Sequence, residues 1–159
     1  MYRIGLGYDI HRLDVARDLI IGGVKIPHVT GLVGHSDADV LIHAIIDAMF
    51  GALALGDIGT HFPDTDEKYK GISSILLLQH AYRLIQEEGY VINNLDCNII
   101  AQAPKMKPHI PAMQKELAKH LGIDVNLISI KAKTNEQMDA VGEKKAIEAN
   151  AVVMLRKKD

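Results

Sequence analysis

Residues 39–55, DVLIHAIIDAMFGALAL, are the most regularly patterned stretch of the chain. Leu41, Ala44, Ile45 and Ala48 recur at intervals of three and four residues, which is the spacing of one face of an α-helix. The pattern therefore predicts a helix whose apolar side faces a core, and the fold has to supply a surface for that side to pack against.

Segments with the patterns of strands lie on both sides of this helix. Alternation of apolar and polar residues predicts strands, and glycines between two short apolar runs predict a hairpin. The predicted strands cover residues 2–8, 90–101, 126–134 and 149–155, the hairpin covers residues 19–26, and two further helices cover residues 73–89 and 111–122. This order predicts a single α+β domain over residues 1–159, with a mixed β-sheet of about four main strands, helices packed on one face and a small N-terminal hairpin.

The composition excludes several classes of protein. The 159 residues include 18 Lys and Arg against 20 Asp and Glu, so the net charge of −2 argues against a general nucleic-acid-binding protein. The single cysteine, Cys97, allows no intrachain disulfide. No apolar run reaches the roughly 20 residues of a membrane span, and the N-terminus lacks the pattern of a signal peptide. We therefore expect a cytoplasmic protein with no nucleic-acid or membrane partner.

Asp9 and His11 are the first candidates for chemistry. They are two residues apart at the end of the first predicted strand, so both side chains point to the same side. A local hydrogen bond between Asp9 and His11 at an exposed strand end is the alternative for the pair alone. With His43 they supply one oxygen and two nitrogens, which is a typical ligand set for a catalytic zinc with one open position. Asp39 or Asp47 is predicted to orient an imidazole.

The start of the predicted helix is the second candidate region. Ser36 or Asp37 is predicted to cap the helix, whose free backbone N–H groups would then form a phosphate site. The spacing of Asp39, His43 and Asp47 predicts one polar stripe along the helix. A solvated helix face with routine capping remains the alternative.

Two other segments carry polar groups. The segment GDIGTHFPDTD, residues 56–66, is too rich in Gly, Pro and Asp to predict regular structure, and Asp57 or Asp64 is predicted to accept hydrogen bonds from substrate hydroxyls. The segment KAKTNE, residues 131–136, offers a cation, a hydroxyl and a carboxylate, which are groups that handle phosphate. A plain surface loop and an edge strand protected by lysines are the respective alternatives.

The glycines of the first strand do not indicate a dinucleotide site. Gly5 and Gly7 have the start of the fingerprint, but position 10 is isoleucine where a third glycine is required.

Taken together, the segments GYDIHRL, IIGGVKIP, GLVGHSDADVLIHAIIDAMFGALALGDIGTHFPDTD, IIAQAPKMKPHIPAM and KAKTNE resemble the 2-C-methyl-D-erythritol 2,4-cyclodiphosphate synthases of the non-mevalonate isoprenoid pathway. The resemblance covers nearly the whole chain. It implies a lyase that converts 4-diphosphocytidyl-2-C-methyl-D-erythritol 2-phosphate to the 2,4-cyclodiphosphate and CMP, through attack of the 2-phosphate on the β-phosphorus. It also implies a homotrimer with active sites between neighbouring subunits.

The resemblance also implies roles for individual residues. Zinc would be held by Asp9, His11 and His43, and a second cation, magnesium or manganese, by Glu136 and the substrate diphosphate. His35 and Thr134 would stabilise the transition state. The implied substrate-binding residues are Asp9, His11, His35, Ser36, Asp57, Ile58, Gly59, Phe62, Pro63, Asp64, Thr65, Asp66, Ala101, Gln102, Ala103, Pro104, Lys105, Met106, Lys107, Lys133, Thr134, Asn135 and Glu136. Among them, residues 101–107 would close on the cytosine base from a neighbouring subunit.

One stretch departs from the family pattern. Ala140 and Glu143 stand where many bacterial members carry an aromatic residue and an arginine, so an arginine contact to substrate and the binding of an isoprenoid diphosphate along the trimer axis are not implied here. Two other functions are compatible with the residues: a zinc-dependent phosphohydrolase, and a non-catalytic zinc-stabilised trimer that binds nucleotides.

Overall fold

The computed structural model describes residues 1–159. Its strands are β1 (Tyr2–Asp14), β2 (Leu19–Ile21), β3 (Val24–Ile26), β4 (Gly31–Leu32), β5 (Tyr90–Ile100), β6 (Ile128–Lys133) and β7 (Ala146–Lys157). Its α-helices are α1 (Val40–Ala52), α2 (Ile58–His61), α3 (Ser74–Glu87), α4 (Ile110–Leu121) and α5 (Asp139–Gly142), and single 3₁₀ turns cover Glu67–Tyr69, Lys107–His109 and Val125–Leu127.

The main sheet is mixed and has the strand order β4-β1-β7-β5-β6. Strands β5 and β6 run parallel, and every other neighbouring pair is antiparallel. Strands β2 and β3 form the separate hairpin that the two glycines predicted. The mixed sheet with its helices confirms the predicted α+β class, and the two-residue strand β4 is an addition that no sequence pattern indicated.

Helices α1, α3 and α4 pack on one face of the sheet, with α1 against β1 and β7. Helix α1 is buried on almost every side, because α3 covers the side that faces away from the sheet. Its contact with β1 is unusually close. A Cβ atom on Gly5 would lie 1.8 Å from the carbonyl oxygen of Ala48, so only glycine fits beneath the helix at this point.

The opposite face of the sheet is open and apolar along β1. Tyr2, Ile4, Leu6, Tyr8 and Ile10 point away from the helices and are between 42% and 71% exposed. The alternation in residues 2–8 thus predicted the strand, but the side that the chain buries is the glycine side. The reason is that a helix can approach a strand most closely where the strand has no side chains.

Several boundaries differ from those predicted. Strand β1 continues to Asp14 because it pairs with β7 as far as Arg12 and with β4 through Leu13 and Asp14. Asp9 and His11 therefore lie within the strand and not at its end. The segment predicted to be irregular contains the one-turn helix α2, whose first turn is capped by Asp57. None of the helices combines the length and apolar character needed to cross a membrane.

Candidate active site

Asp9, His11 and His43 meet where α1 crosses β1. The Asp9 Oδ2 atom lies 2.8 Å from His11 Nε2 and 3.1 Å from His43 Nδ1, and the two ring nitrogens are 3.2 Å apart. The strand places the first two side chains on the same side, and the helix brings the third above them. One oxygen and two nitrogens therefore converge on a single point.

The hydrogen bonding of His11 leaves the lone pair of Nε2 directed at the point where the three side chains meet. His11 Nδ1 lies 2.9 Å from the carbonyl oxygen of Val33, which can only accept, so Nδ1 donates its hydrogen and Nε2 carries the lone pair of the neutral ring. Burial alone would raise the pKa of Asp9, but hydrogen bonds and charge from His11 and His43 in their protonated forms lower it to about 2. Burial opposes protonation of His11, whereas the contact with Asp9 raises its pKa above the usual value.

This arrangement fits a metal ion. Asp9, His11 and His43 each offer one ligand atom, and these atoms lie within 4.8 Å of one another, close enough to bind the same metal ion. Zinc bonds of about 2.0–2.1 Å in tetrahedral geometry separate ligand atoms by about 3.3–3.4 Å, close to the separations observed. An ionised carboxylate and two ring nitrogens are also ligands that zinc accepts.

The predicted partners of the imidazoles are not the observed ones. His43 Nε2 contacts the hydroxyl oxygens of Ser36 at 3.1 Å and Ser74 at 2.9 Å, and neither Asp39 nor Asp47 is bonded to a histidine. The Asp47 Oδ1 atom accepts instead from the backbone N–H of Ile58 at 2.7 Å. Asp47 therefore positions the segment that begins α2.

Asp39 is also not part of a solvated polar stripe. It is fully buried, and its carboxylate accepts hydrogen bonds from the backbone N–H groups of Gly22, Gly23 and Ile42. Asp39, and not Ser36 or Asp37, is thus the cap of α1, and it also ties the β2–β3 hairpin to the helix. A carboxylate therefore occupies the N-terminus of α1, where a phosphate site was predicted.

A cavity of about 210 Å³ opens beside the three converging side chains. The predicted residues that line it are Asp9, His11, His35, Ser36, His43, Ile58, Gly59, Phe62 and Asp64. Gly34, Tyr69 and Leu77 also line the cavity and were not predicted. Strand β1, helix α1 and the segments 34–36 and 56–66 thus bring a large part of the predicted site together.

The other predicted residues of that segment, Asp57, Pro63, Thr65 and Asp66, do not line the cavity. His35 Nε2 lies 3.0 Å from the carbonyl oxygen of Asp66, which fixes the ring beside the cavity. Asp57 is exposed and accepts hydrogen bonds from the backbone and hydroxyl of Thr60, so its first observed role is to cap α2. Pro63 is half-buried and Thr65 is exposed.

A second, separate cavity of about 170 Å³ holds most of the other predicted residues. It is lined by Ala101, Gln102, Pro104, Lys105, Met106, Lys107, Ala132, Lys133 and Thr134, and none of them lines the first cavity. Ala103 lies in the same loop and is half-buried. Within one chain, the candidate metal ligands and the 101–107 loop therefore belong to different pockets.

The segment that follows β6 adjoins this second cavity. The backbone N–H of Gln137 donates to the Gln102 side chain at 3.1 Å and so joins the two loops. Glu136 is exposed and has a φ of 50°, a left-handed conformation that is uncommon for a residue with a side chain. Asn135 holds the turn by donating from Nδ2 to the Met138 carbonyl at 3.1 Å.

Known proteins match this chain over almost its whole length. The YgbB family model matches residues 2–156. The 2-C-methyl-D-erythritol 2,4-cyclodiphosphate synthase of Clostridioides difficile (strain 630) is 58% identical over 153 residues, which are 96% of this chain and 95% of the relative.

Solved structures agree with the sequence match. The bifunctional IspDF of Campylobacter jejuni is 40% identical with a TM-score of 0.96, and the match covers 100% of this chain and 43% of that one. The IspF of Plasmodium falciparum, solved as a CDP complex, is 41% identical with a TM-score of 0.87, over 99% of this chain and 97% of that one. The chain therefore belongs to the YgbB family, that of the 2-C-methyl-D-erythritol 2,4-cyclodiphosphate synthases, enzymes of isoprenoid biosynthesis.

Proposed function

We propose that this protein converts 4-diphosphocytidyl-2-C-methyl-D-erythritol 2-phosphate to 2-C-methyl-D-erythritol 2,4-cyclodiphosphate and CMP. The observation that carries the proposal is the convergence of Asp9, His11 and His43 at the wall of a cavity. Family membership supports the reaction, and the P. falciparum relative, solved with CDP, supports a cytidine nucleotide as the ligand class.

The proposed step is intramolecular and needs no nucleophile from the protein. An oxygen of the substrate 2-phosphate forms a bond to the β-phosphorus, the bond from that phosphorus to the bridging oxygen breaks, and CMP leaves with the electron pair. The protein has to hold the substrate folded on itself, which removes much of the entropic barrier. Cys97, the one thiol, is buried, and burial raises its pKa to about 12, so it takes no part.

Asp9, His11 and His43 would hold zinc, and Glu136 would hold magnesium or manganese together with the diphosphate. These ions would supply Lewis-acid neutralisation of the charge that grows on the phosphate oxygens. The chemistry of the donors supports this division, because imidazole suits zinc and a lone carboxylate suits a harder ion.

The remaining residues would bind and orient the substrate. His35 and Thr134 would stabilise charge in the transition state, while Ser36 and Lys133 would contact phosphate. The segment 57–59 would bind the methylerythritol, the segment 62–66 would also contact the substrate, and the segment 101–107 would bind the cytosine. The cavity beside the metal ligands, at about 210 Å³, is too small for the whole substrate, which supports a second pocket for the base.

We further propose that the enzyme is a homotrimer with each site shared by two subunits. Two observations support this. The metal ligands and the 101–107 loop line different cavities of one chain, and the apolar side chains of β1 leave a broad face without a partner. Exposed apolar patches of this kind mark protein interfaces. Cytoplasmic localisation belongs to the same proposal.

The test is direct product analysis. The pure protein is incubated with the cytidylyl substrate, zinc and magnesium, and the products are separated and identified by mass and ³¹P NMR. CMP and the cyclic diphosphate in equal amounts are expected. Release of inorganic phosphate would indicate a phosphohydrolase instead, and nucleotide binding without turnover would indicate a non-catalytic trimer.

A further inference from the structure

A chain of hydrogen bonds runs from the inner nitrogen of His43 to a carboxylate. His43 Nε2 lies 2.9 Å from Ser74 Oγ, and that hydroxyl in turn donates to Asp37 Oδ1. The backbone N–H of Ser74 donates to the other carboxylate oxygen of Asp37 at 3.0 Å. Ser74 is fully buried at the first turn of α3, 31 residues after His43.

The direction of these bonds decides where the hydrogen of His43 lies. A carboxylate can only accept, so the single hydroxyl hydrogen of Ser74 points to Asp37. The Ser74 oxygen then presents a lone pair to His43, and Nε2 has to carry the hydrogen. A neutral imidazole has one ring hydrogen, so Nδ1 is left with the lone pair that faces Asp9 and His11.

A competing arrangement lies close by. The Asp9 carboxylate is 3.1 Å from His43 Nδ1 and would readily accept a hydrogen from it. In that tautomer Nδ1 would donate to Asp9 and would have no lone pair to give to a metal ion. The contact with Ser74 opposes this tautomer, because moving the hydrogen to Nδ1 would leave two lone pairs facing each other between Nε2 and the hydroxyl.

Asp37 is itself held firmly. Its carboxylate also accepts from the backbone N–H of Asp39 at 3.1 Å, and its own N–H donates to the carbonyl of Ile72 at 3.0 Å. The Ser36 hydroxyl accepts from the backbone N–H of Ala38 at 3.2 Å and lies 3.1 Å from the same Nε2, so its oxygen can share the Nε2 hydrogen with Ser74. Ser74 and Asp37 together therefore form the fixed end of this chain of hydrogen bonds.

We infer that Ser74 and Asp37 are positioning residues that fix the tautomer and the ring orientation of His43, so that Nδ1 is presented to the metal ion. The inference rests on the proposed function in that it gives His43 a metal to bind. Hydrogen-bond partners of this kind typically change metal affinity by roughly 10- to 100-fold when they are removed.

The experiment uses the full-length protein and the variants Ser74→Ala, Asp37→Asn and their double variant. Ser73→Ala is the matched control, because Ser73 is the exposed neighbour whose side chain makes no capping hydrogen bond. Zinc affinity is measured without substrate, by competition with a chromophoric chelator. The hydrogen position on His43 is read from ¹⁵N-histidine NMR of the metal-free protein at about pH 9.

We expect zinc affinity to fall roughly 10- to 100-fold in Ser74→Ala and to stay within about twofold in Ser73→Ala. The double variant should be little weaker than Ser74→Ala, because the two residues act as one unit. In wild type the hydrogen should lie on Nε2, and in Ser74→Ala a substantial fraction should move to Nδ1.

Equal zinc affinity in Ser74→Ala and Ser73→Ala, or a wild-type hydrogen on Nδ1, would overturn the inference. His43→Ala separates this failure from failure of the proposed function. If His43→Ala loses zinc while Ser74→Ala keeps it, only the positioning role is wrong. If His43→Ala also keeps zinc, the metal site itself is wrong, and the NMR result still decides the tautomer.

Discussion

The carbonyl oxygen of Ala44 lies where a side chain on Gly7 would begin. A Cβ atom built on Gly7 would be 1.8 Å from that oxygen, so the backbones of α1 and β1 are in direct contact. His43, the residue before Ala44, is thereby held over Asp9 and His11, two and four residues after Gly7. The close packing of two backbones thus sets the spacing of the candidate metal ligands.

Gly7→Ala should therefore both destabilise the protein and weaken zinc binding. The methyl group has to push α1 away from β1, at a cost of about 1–3 kcal/mol or more in the free energy of unfolding. Gly51→Ala is the control, since the nearest atom to its Cβ would be 3.9 Å away and alanine favours the helix. Urea unfolding and zinc titration of both variants check this, and a Gly7→Ala protein as stable as wild type would contradict it.

His43→Ala should remove most bound zinc and abolish turnover, while the far-UV circular dichroism stays close to that of wild type. The ligands come from a strand and a helix that pack through many other contacts, so the fold survives the loss of one side chain. Zinc is quantified in the purified protein. The control is His28→Ala, which removes an exposed histidine, and full zinc content in His43→Ala would refute the ligand assignment.

Glu136→Gln should leave the zinc content unchanged and cause a large loss of activity that added magnesium or manganese partly restores. The substitution keeps the size of the side chain and removes its charge, so the second ion binds more weakly but refills by mass action. The check is a magnesium titration of the initial rate, with His43→Ala beside it, for which no rescue is expected. Loss of zinc from Glu136→Gln would remove the role proposed for Glu136.

Mixing two inactive proteins, Lys105→Ala and His43→Ala, should restore part of the activity after subunit exchange. If each site takes its metal ligands from one subunit and the 101–107 loop from another, a mixed trimer contains sites free of both changes. Exchange is verified by native mass spectrometry before the assay. Complete exchange without any return of activity would show that the site is not shared.

The contribution of Asp39 to stability should fall as the pH rises. Burial raises its pKa to about 6, although three backbone N–H groups favour the charged form. The folded protein therefore holds this proton more tightly than the unfolded chain, whose pKa is about 3.9. The stability that the proton supplies is present at low pH and is lost as the pH rises through about 6.

Asp39→Asn tests this sign, because the variant is neutral throughout. The free energy of unfolding of wild type minus that of the variant should decrease by about 2–3 kcal/mol from about pH 4 to about pH 7. Urea unfolding of the metal-free proteins across this range provides the measurement. A difference that is constant or increases with pH would mean that the backbone hydrogen bonds outweigh burial.

Much of the fold could be predicted because its signals are local. The glycine pair of the hairpin, the apolar spacing in α1 and the alternation around Cys97 each lie within one element and match the structure. The exposed side of β1 could not be predicted in the same way. Its alternation looks the same whether the apolar or the glycine side is buried, and only the packing of α1 decides between them.

The candidate site shows the same difference between local sequence signals and contacts that depend on packing. Asp9, His11 and His43 could be recognised from residue type and spacing, and the structure brings them together. Ser74 could not, because it contacts His43 only when α3 docks beside α1. The sequence did offer one signal for Ser74. Ser73 and Ser74 are adjacent at the start of α3, and only one of them can be the N-cap, which leaves the other for a different contact. The error about Asp39 came from reading helical spacing as exposure, when the β2–β3 hairpin packs against the start of α1 and covers this carboxylate.

If the proposed site is shared between subunits, the separation of the two cavities has a consequence for how the enzyme behaves on dilution. A lone chain would have the metal ligands in one pocket and the loop for the base in another, with no residue common to both. Catalysis would then depend on encounter between chains. At protein concentrations near the dissociation constant of the oligomer, the reaction rate would rise more steeply than in proportion to protein concentration. At the lowest protein concentrations, the specific activity would decrease with time at the rate at which the subunits dissociate.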